Sequence, residues 1–179
     1  VAAAAGYNVT MIDIQQEYVD KGLATIERSL GKLVAKERMS QDDADATLAR
    51  ISLSTDRADC ADCDLVVEAV PEIVDLKTSI FAELDSICKP ETILASNTSS
   101  ISISTIADAT NRPDKVIGMH FMNPVPIMKL VEVINGDKTS PETNAAVNEA
   151  SETMGKIALS CNDSPGFVSN RILCPMLNE

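Results

Sequence analysis

Tryptophan is absent from this 179-residue chain, and phenylalanine and tyrosine bring the aromatic content to only 3%. A surface of stacked rings for bases or sugars is therefore not expected. Histidine occurs once, at His120. The pair Cys60–Cys63 has a spacing that suits a metal or redox site, but one such pair with one histidine cannot supply four zinc ligands. No metal is expected, and the pair reads as thiols in a loop and at a helix end. The five cysteines (Cys60, Cys63, Cys88, Cys161, Cys174) are scattered and odd in number, which suits thiols in a reducing compartment; the cytoplasm is expected, with a mitochondrion or a peroxisome as the alternatives. No stretch approaches the ~20 apolar residues of a membrane span. Basic residues are outnumbered, 15 Lys+Arg against 27 Asp+Glu, for a net charge of -12. That balance argues against a polyanion such as duplex nucleic acid as the main partner.

What is present is an ordinary globular balance of 45% hydrophobic and 23% charged residues. A domain of this length buries roughly 70% of the surface its unfolded chain exposes, so it needs no covalent staples. The chain opens on Val1-Ala2-Ala3-Ala4-Ala5-Gly6 without an initiator Met. An alanine run closed by glycine reads as the last turn of a helix with a left-handed terminator, as though the sequence begins inside an element. Nothing there has the charged start, apolar stretch and cleavage site of a signal peptide.

Alternation of element types follows. A β-rich run, residues 8–12, ends at Asp13. A long helix comes next, with Val19, Leu23, Ile26, Leu30 and Leu33 at helical spacing. Ser40 and Asp43 predict a capping box for a second helix to about Arg50. Ile51–Ser54 reads as a strand, and the apolar run from Leu65 to Val70 as a strand buried on both faces. Residues 75–87 predict a helix with Leu76, Ile80, Phe81, Leu84 and Ile87 on one stripe. Strands are expected at 92–95, 116–121, 130–134 and 157–161, and a short helix at 101–109. Ser140-Pro141-Glu142 opens a further helix with cap and proline in the favoured order. A last helix follows Pro165-Gly166 and runs to Glu179. This pattern predicts a doubly wound, Rossmann-type α/β domain with a mostly parallel sheet.

Several residues could carry chemistry. Asp13 ends the first strand, where a dinucleotide-binding domain holds ribose hydroxyls; a helix cap is the competing reading. Arg28, Lys32 and Lys36 form a basic stripe that would suit phosphates, or a solvated face paired with Glu27 and Glu37. Ser96-Asn97-Thr98-Ser99-Ser100 follows a strand, where parallel sheets bind ligands, and one serine at most is needed as a helix cap. His120 ends a strand, and Glu132 lies inside the next apolar strand, where a carboxylate is costly unless paired. Across the turn containing Pro124 and Pro126, Glu132 could reach the histidine, fix its tautomer and stabilise the imidazolium. His120, Glu132, Ser99 and Asn170 are residue types that could move a proton and hold a substrate oxygen during hydride transfer.

Three runs, SNTSS from Ser96, HFMNPVPIMKLVEV from His120 and SPGFVSNRI from Ser164, closely resemble the 3-hydroxyacyl-CoA dehydrogenase family, including its stand-alone 3-hydroxybutyryl-CoA dehydrogenases. The likeness runs the length of the chain. It implies NAD-dependent oxidation of an L-3-hydroxyacyl-CoA to the 3-ketoacyl-CoA, or the reverse, in fatty acid or butanoate metabolism. By motif, His120 is the implied general base and Glu132 its orienting partner, with Ser99 and Asn170 on the substrate oxygen. Asp13, Glu72, Lys77, Ser99 and Asn123 are implied NAD contacts, and Ser29 and Lys36 coenzyme A contacts.

The resemblance also implies a first strand and glycine-rich turn, which this sequence lacks, and a C-terminal helical domain through which a homodimer forms. The expected division is therefore an NAD-binding domain over residues 1–164 and the opening of the helical domain over 165–179. With its phosphate cradle missing, this stretch alone is expected to bind NAD weakly or not at all and to be inactive. Two alternatives stand beside the stand-alone enzyme: a segment of a multifunctional β-oxidation protein, and a non-catalytic coenzyme A- or dinucleotide-binding relative.

Overall fold

The computed structural model describes residues 1–178. The chain divides into two compact units, Val1–Cys60 and the remainder from Ala61.

In the first unit the alanine run forms a 3-10 turn, Ala3–Ala5, closed by Gly6 at φ 100°, the left-handed terminator expected. Strand β1 (Val9–Ile12) leads into helix α1 (Gln16–Ala35), which buries Val19 and Leu30. Glu37 closes α1 in the left-handed region at φ 56°. Its N–H bonds Val34 O and that of Arg38 bonds Leu33 O, so the last carbonyls are satisfied although the residue is not glycine. Ser40 caps α2 (Gln41–Ala49): its Oγ accepts the Asp43 N–H at 3.0 Å, as the capping box predicts. Strand β2 (Ile51–Ser54) then pairs in parallel with β1, Val9 opposite Ile51.

The second unit carries strands β3 (Leu65–Glu68), β4 (Ile93–Ser96), β5 (Val116–Phe121), β6 (Leu130–Asn135) and β7 (Ile157–Asn162) in that spatial order. Helices α3 (Val74–Ile87), α4 (Ile103–Ala107), α5 (Pro141–Thr153) and α6 (Ser169–Asn178) alternate with them. Every pair is parallel except β5–β6. The connection between those two, residues 122–129, is shorter than the dozen or so residues a parallel crossover needs, so the strands can only turn back on each other. Ala95, Ile117, Met119, Val131, Val133 and Val147 form the buried centre between sheet and α5.

Four expectations change in detail. The strands form two hydrogen-bonded sheets, β1-β2 and β3 to β7, because no described strand ladders between them. The run through Val67 is not buried on both faces: among the described residues β3 ends its sheet with β4 as sole partner, and Val67 is 40% exposed. On α3, Ile80, Phe81 and Leu84 are buried, but Leu76, a turn nearer the start, is exposed. Helix α4 begins later than expected because Ser102 is its cap, while the Ile101 N–H is taken by Thr98 Oγ1.

Gly118, in the middle of β5, sits opposite Ile134. A β-carbon there would lie 2.8 Å from Ile134 Cβ and 3.0 Å from Ile103 Cδ1. Gly118→Ala is therefore expected to destabilise by about 1–3 kcal/mol, the usual cost of overpacking a filled core. Urea denaturation of parent and variant measures this; equal midpoints would contradict the packing described.

Candidate active site

Antiparallel pairing of β5 and β6 sets His120 directly opposite Glu132. Side chains opposite each other in such a pair share a face and lie within reach. His120 Nδ1 is 2.8 Å from Glu132 Oε2, with Glu132 fully buried and His120 6% exposed. The other carboxylate oxygen accepts two successive backbone N–H groups, Val168 at 3.0 Å and Ser169 at 2.8 Å, at the entry to α6. Gly166 and Phe167 both adopt positive φ, 76° and 53°, and this turn precedes the two N–H groups that meet the carboxylate. Phe167 is buried and presents its ring to His120 at 5.8 Å, inclined by 61°.

Burial alone would push the Glu132 carboxyl up, but hydrogen bonds from His120, Ser169 and Val168 outweigh it and hold the group below the ordinary value of 4.5. Glu132 is thus an anion at neutral pH and accepts only. Nδ1 must then carry the proton, which leaves Nε2 of the neutral ring as its lone-pair nitrogen. Ser99 Oγ lies 3.0 Å from Nε2 and donates to it. Asn170 Nδ2 donates to Ser99 O at 3.3 Å. A proton acceptor, a hydroxyl and an amide therefore converge beyond the C-terminal ends of β4 and β5, the position where open α/β sheets hold ligands.

The remaining expected residues are placed as follows. Glu72, in the loop after β3, has a 40% exposed carboxylate that accepts the Ser99 N–H and the Thr98 hydroxyl. Lys77, on the first turn of α3, is 1% exposed, with Nζ 2.7 Å from Glu68 and 3.4 Å from Glu72. Asn123 is exposed just past β5, its peptide bond to Pro124 cis. In the first unit, Asp13 is exposed and, among the described residues, its carboxylate accepts only the neighbouring Ile14 N–H, at 2.7 Å. It does not cap α1, whose N-cap, Gln15, makes no side-chain bond. Ser29 lies on α1, and Lys36 is the residue that caps its C-terminal end. Arg28, Lys32 and Lys36 are exposed, and among the described residues none forms an ion pair, so the expected alternative pairing with Glu27 and Glu37 does not occur.

Residues 1–164 match the family profile of the 3-hydroxyacyl-CoA dehydrogenase NAD-binding domain. The chain belongs to that family. It is 56% identical over 179 residues to a probable 3-hydroxybutyryl-CoA dehydrogenase of Deinococcus radiodurans, covering 100% of this chain and 64% of that protein. It is 43% identical over 185 residues to human mitochondrial hydroxyacyl-coenzyme A dehydrogenase, covering 59% of it. The crystal structure of (S)-3-hydroxybutyryl-CoA dehydrogenase from Ralstonia eutropha superposes with a TM-score of 0.96 at 49% identity, over 98% of this chain and 62% of that one. The chain thus spans less than two thirds of the length of the relatives it matches.

Three contributors to the site escape a reading by residue type. Phe167 is an unremarkable apolar residue until its positive φ is known. Glu68 ends an apolar strand, and Lys77 nine residues later could have signalled its buried partner. The Val168 and Ser169 N–H groups have no side-chain signature at all.

The ionisation of Glu132 makes a testable claim. Its folded-state pKa is depressed, so the stabilisation it supplies is complete above 4.5 and fades as pH falls through the folded-state value. At pH 7, Glu132→Gln is expected to cost about 1.5–3 kcal/mol, the worth of hydrogen bonds to a charged group. Denaturation of both proteins from pH 7 to pH 3 should show that difference shrinking below 4.5; a constant difference would mean that Glu132 is not ionised in the fold.

Proposed function

We propose that the full-length protein containing this chain catalyses NAD-dependent interconversion of an L-3-hydroxyacyl-CoA and the corresponding 3-ketoacyl-CoA. The observation that carries this reading is the buried Glu132–His120 pair with Ser99 on the free ring nitrogen. In the oxidation direction, His120 Nε2 takes the proton from the substrate's 3-hydroxyl. The imidazolium so formed is stabilised by Glu132, already an anion and already bonded to Nδ1, so little reorganisation accompanies the proton transfer. The Ser99 hydroxyl and the Asn170 amide are the donors for the oxygen as it becomes a carbonyl. In the reverse direction His120 returns the proton to that oxygen.

NAD, when bound, supplies the hydride acceptor or donor. Asp13 fits a ribose because its exposed carboxylate ends a parallel strand and is not consumed in capping a helix. Glu72, Lys77, Ser99 and Asn123 are the further expected contacts, Lys77 lying beneath Glu72 with 1% exposure. Ser29 and Lys36 would hold the coenzyme A moiety, with Arg28, Lys32 and Lys36 in no ion pair among the described residues. The relatives named as acting on 3-hydroxybutyryl-CoA favour short acyl chains. We further propose that residues 165–179 open a helical domain that mediates a homodimer, residues 1–164 forming the NAD-binding domain. The scattered cysteines favour a reducing compartment such as the cytoplasm. No described helix is long and apolar enough to cross a membrane.

The full-length protein is expected to oxidise NADH with acetoacetyl-CoA. His120→Gln should lower kcat by roughly 10²–10⁴-fold, the usual worth of a positioned acid–base group. Steady-state assays of both proteins test this, and a variant as fast as the parent would remove His120 from the chemistry.

A further inference from the structure

Directly behind Ser99 lies a buried ionic network that the proton relay does not itself use. Glu68, at the end of β3, is 5% exposed, and Lys77, on α3, is 1% exposed. Glu68 Oε1 accepts from Lys77 Nζ at 2.7 Å and from the Val70 N–H; Oε2 accepts from Ser96 Oγ at 2.7 Å. Ser96 Oγ in turn accepts the Thr98 N–H at 3.2 Å. Thr98 Oγ1 donates to Glu72 at 2.9 Å and accepts the N–H groups of Ser100 and Ile101. Glu72 accepts the Ser99 N–H at 2.5 Å. Four successive backbone N–H groups, from Thr98 to Ile101, are therefore each bound by a side chain of this network.

One cation holds it together. Lys77 Nζ lies 2.7 Å from Glu68 and 3.4 Å from Glu72, and also donates to Val70 O at 3.0 Å. Two carboxylates this close to one ammonium would repel each other without it, and a buried ion pair repays its desolvation only when its remaining lone pairs are satisfied, as they are here. The ammonium is enclosed by these groups.

We propose that Lys77 and Glu68 are positioning residues: through Ser96, Thr98 and Glu72 they fix the 96–101 loop so that the Ser99 hydroxyl meets His120 Nε2. As far as turnover is concerned, this rests on the function proposed above. Misplacing a reacting group by about 1 Å costs up to ~10²-fold in rate. In the full-length protein, Lys77→Met, which keeps length and removes charge, is expected to lower kcat by about 10–100-fold while KM for acetoacetyl-CoA stays within about threefold. Ser96→Ala, which cuts one link and leaves the ion pair intact, should show the same pattern at about tenfold or less.

The geometry has a readout that does not require turnover. In ¹⁵N-histidine NMR spectra, the His120 ring signals are those that vanish in His120→Gln, and the Nε2 signal should move in both variants. An unmoved Nε2 signal with kcat within about twofold of the parent would overturn the proposal. So would an unmoved Nε2 signal in Lys77→Met with only KM for NADH raised, which would leave Lys77 a cofactor contact without a positioning role. If Lys77→Met does not fold, Ser96→Ala decides by the same criteria. A parent with no turnover of acetoacetyl-CoA would refute the proposed function, and the Nε2 signal would then decide the positioning role.

Discussion

A carboxylate with no exposure to solvent is the constraint from which the rest of the site follows. Isolated in an apolar strand, Glu132 would be costly to keep ionised. It is ionised because each oxygen has its donors: the imidazole on one side and two backbone N–H groups on the other. Each donor imposes a structural demand. The imidazole requires that β5 and β6 run antiparallel in one register, since a slip by one residue would turn His120 to the other face of the sheet. The backbone donors require that the chain before α6 make a left-handed turn at Gly166 and at Phe167, a conformation disfavoured for a residue with a side chain. Burying the Phe167 ring against His120 offsets that strain.

The same logic recurs three strands away, on β3. Glu68 is buried at the end of β3 and neutralised by Lys77, and its second oxygen engages Ser96 at the end of β4. The two buried acids thus flank the site from opposite sides, Glu132 behind the imidazole and Glu68 behind the serine loop. Between them stand the two groups that meet at 3.0 Å, Ser99 Oγ and His120 Nε2. Such a site is preorganised: its donors and acceptors are aimed before any ligand arrives, which is the arrangement electrostatic catalysis requires.

Much of this was legible in the sequence. Element types and most boundaries followed from periodicity, with Ser40 and Ser140 announcing their helices through capping. The Glu132–His120 contact could be anticipated because a carboxylate within Leu130–Ile134 had to find a partner and only one histidine exists. Less could be read where position, not residue type, decides the outcome. Val67 looks like any buried strand residue, yet lies on the last strand of its sheet. Lys77 looks like a solvated helix lysine, yet Glu68 and Glu72 draw it inward. The left-handed Phe167 and the N–H groups beyond it depend on backbone dihedrals that no side chain advertises.

If the buried acid acts only through the imidazole, the two residues form one unit and their losses cannot multiply. A double-mutant cycle on kcat, comparing His120→Gln, Glu132→Gln and the pair in the full-length protein, asks this directly. The expected result is a double variant no slower than His120→Gln alone. A double variant slower by the product of the two single losses would show that Glu132 works independently of His120, and would contradict the coupling on which this account is built.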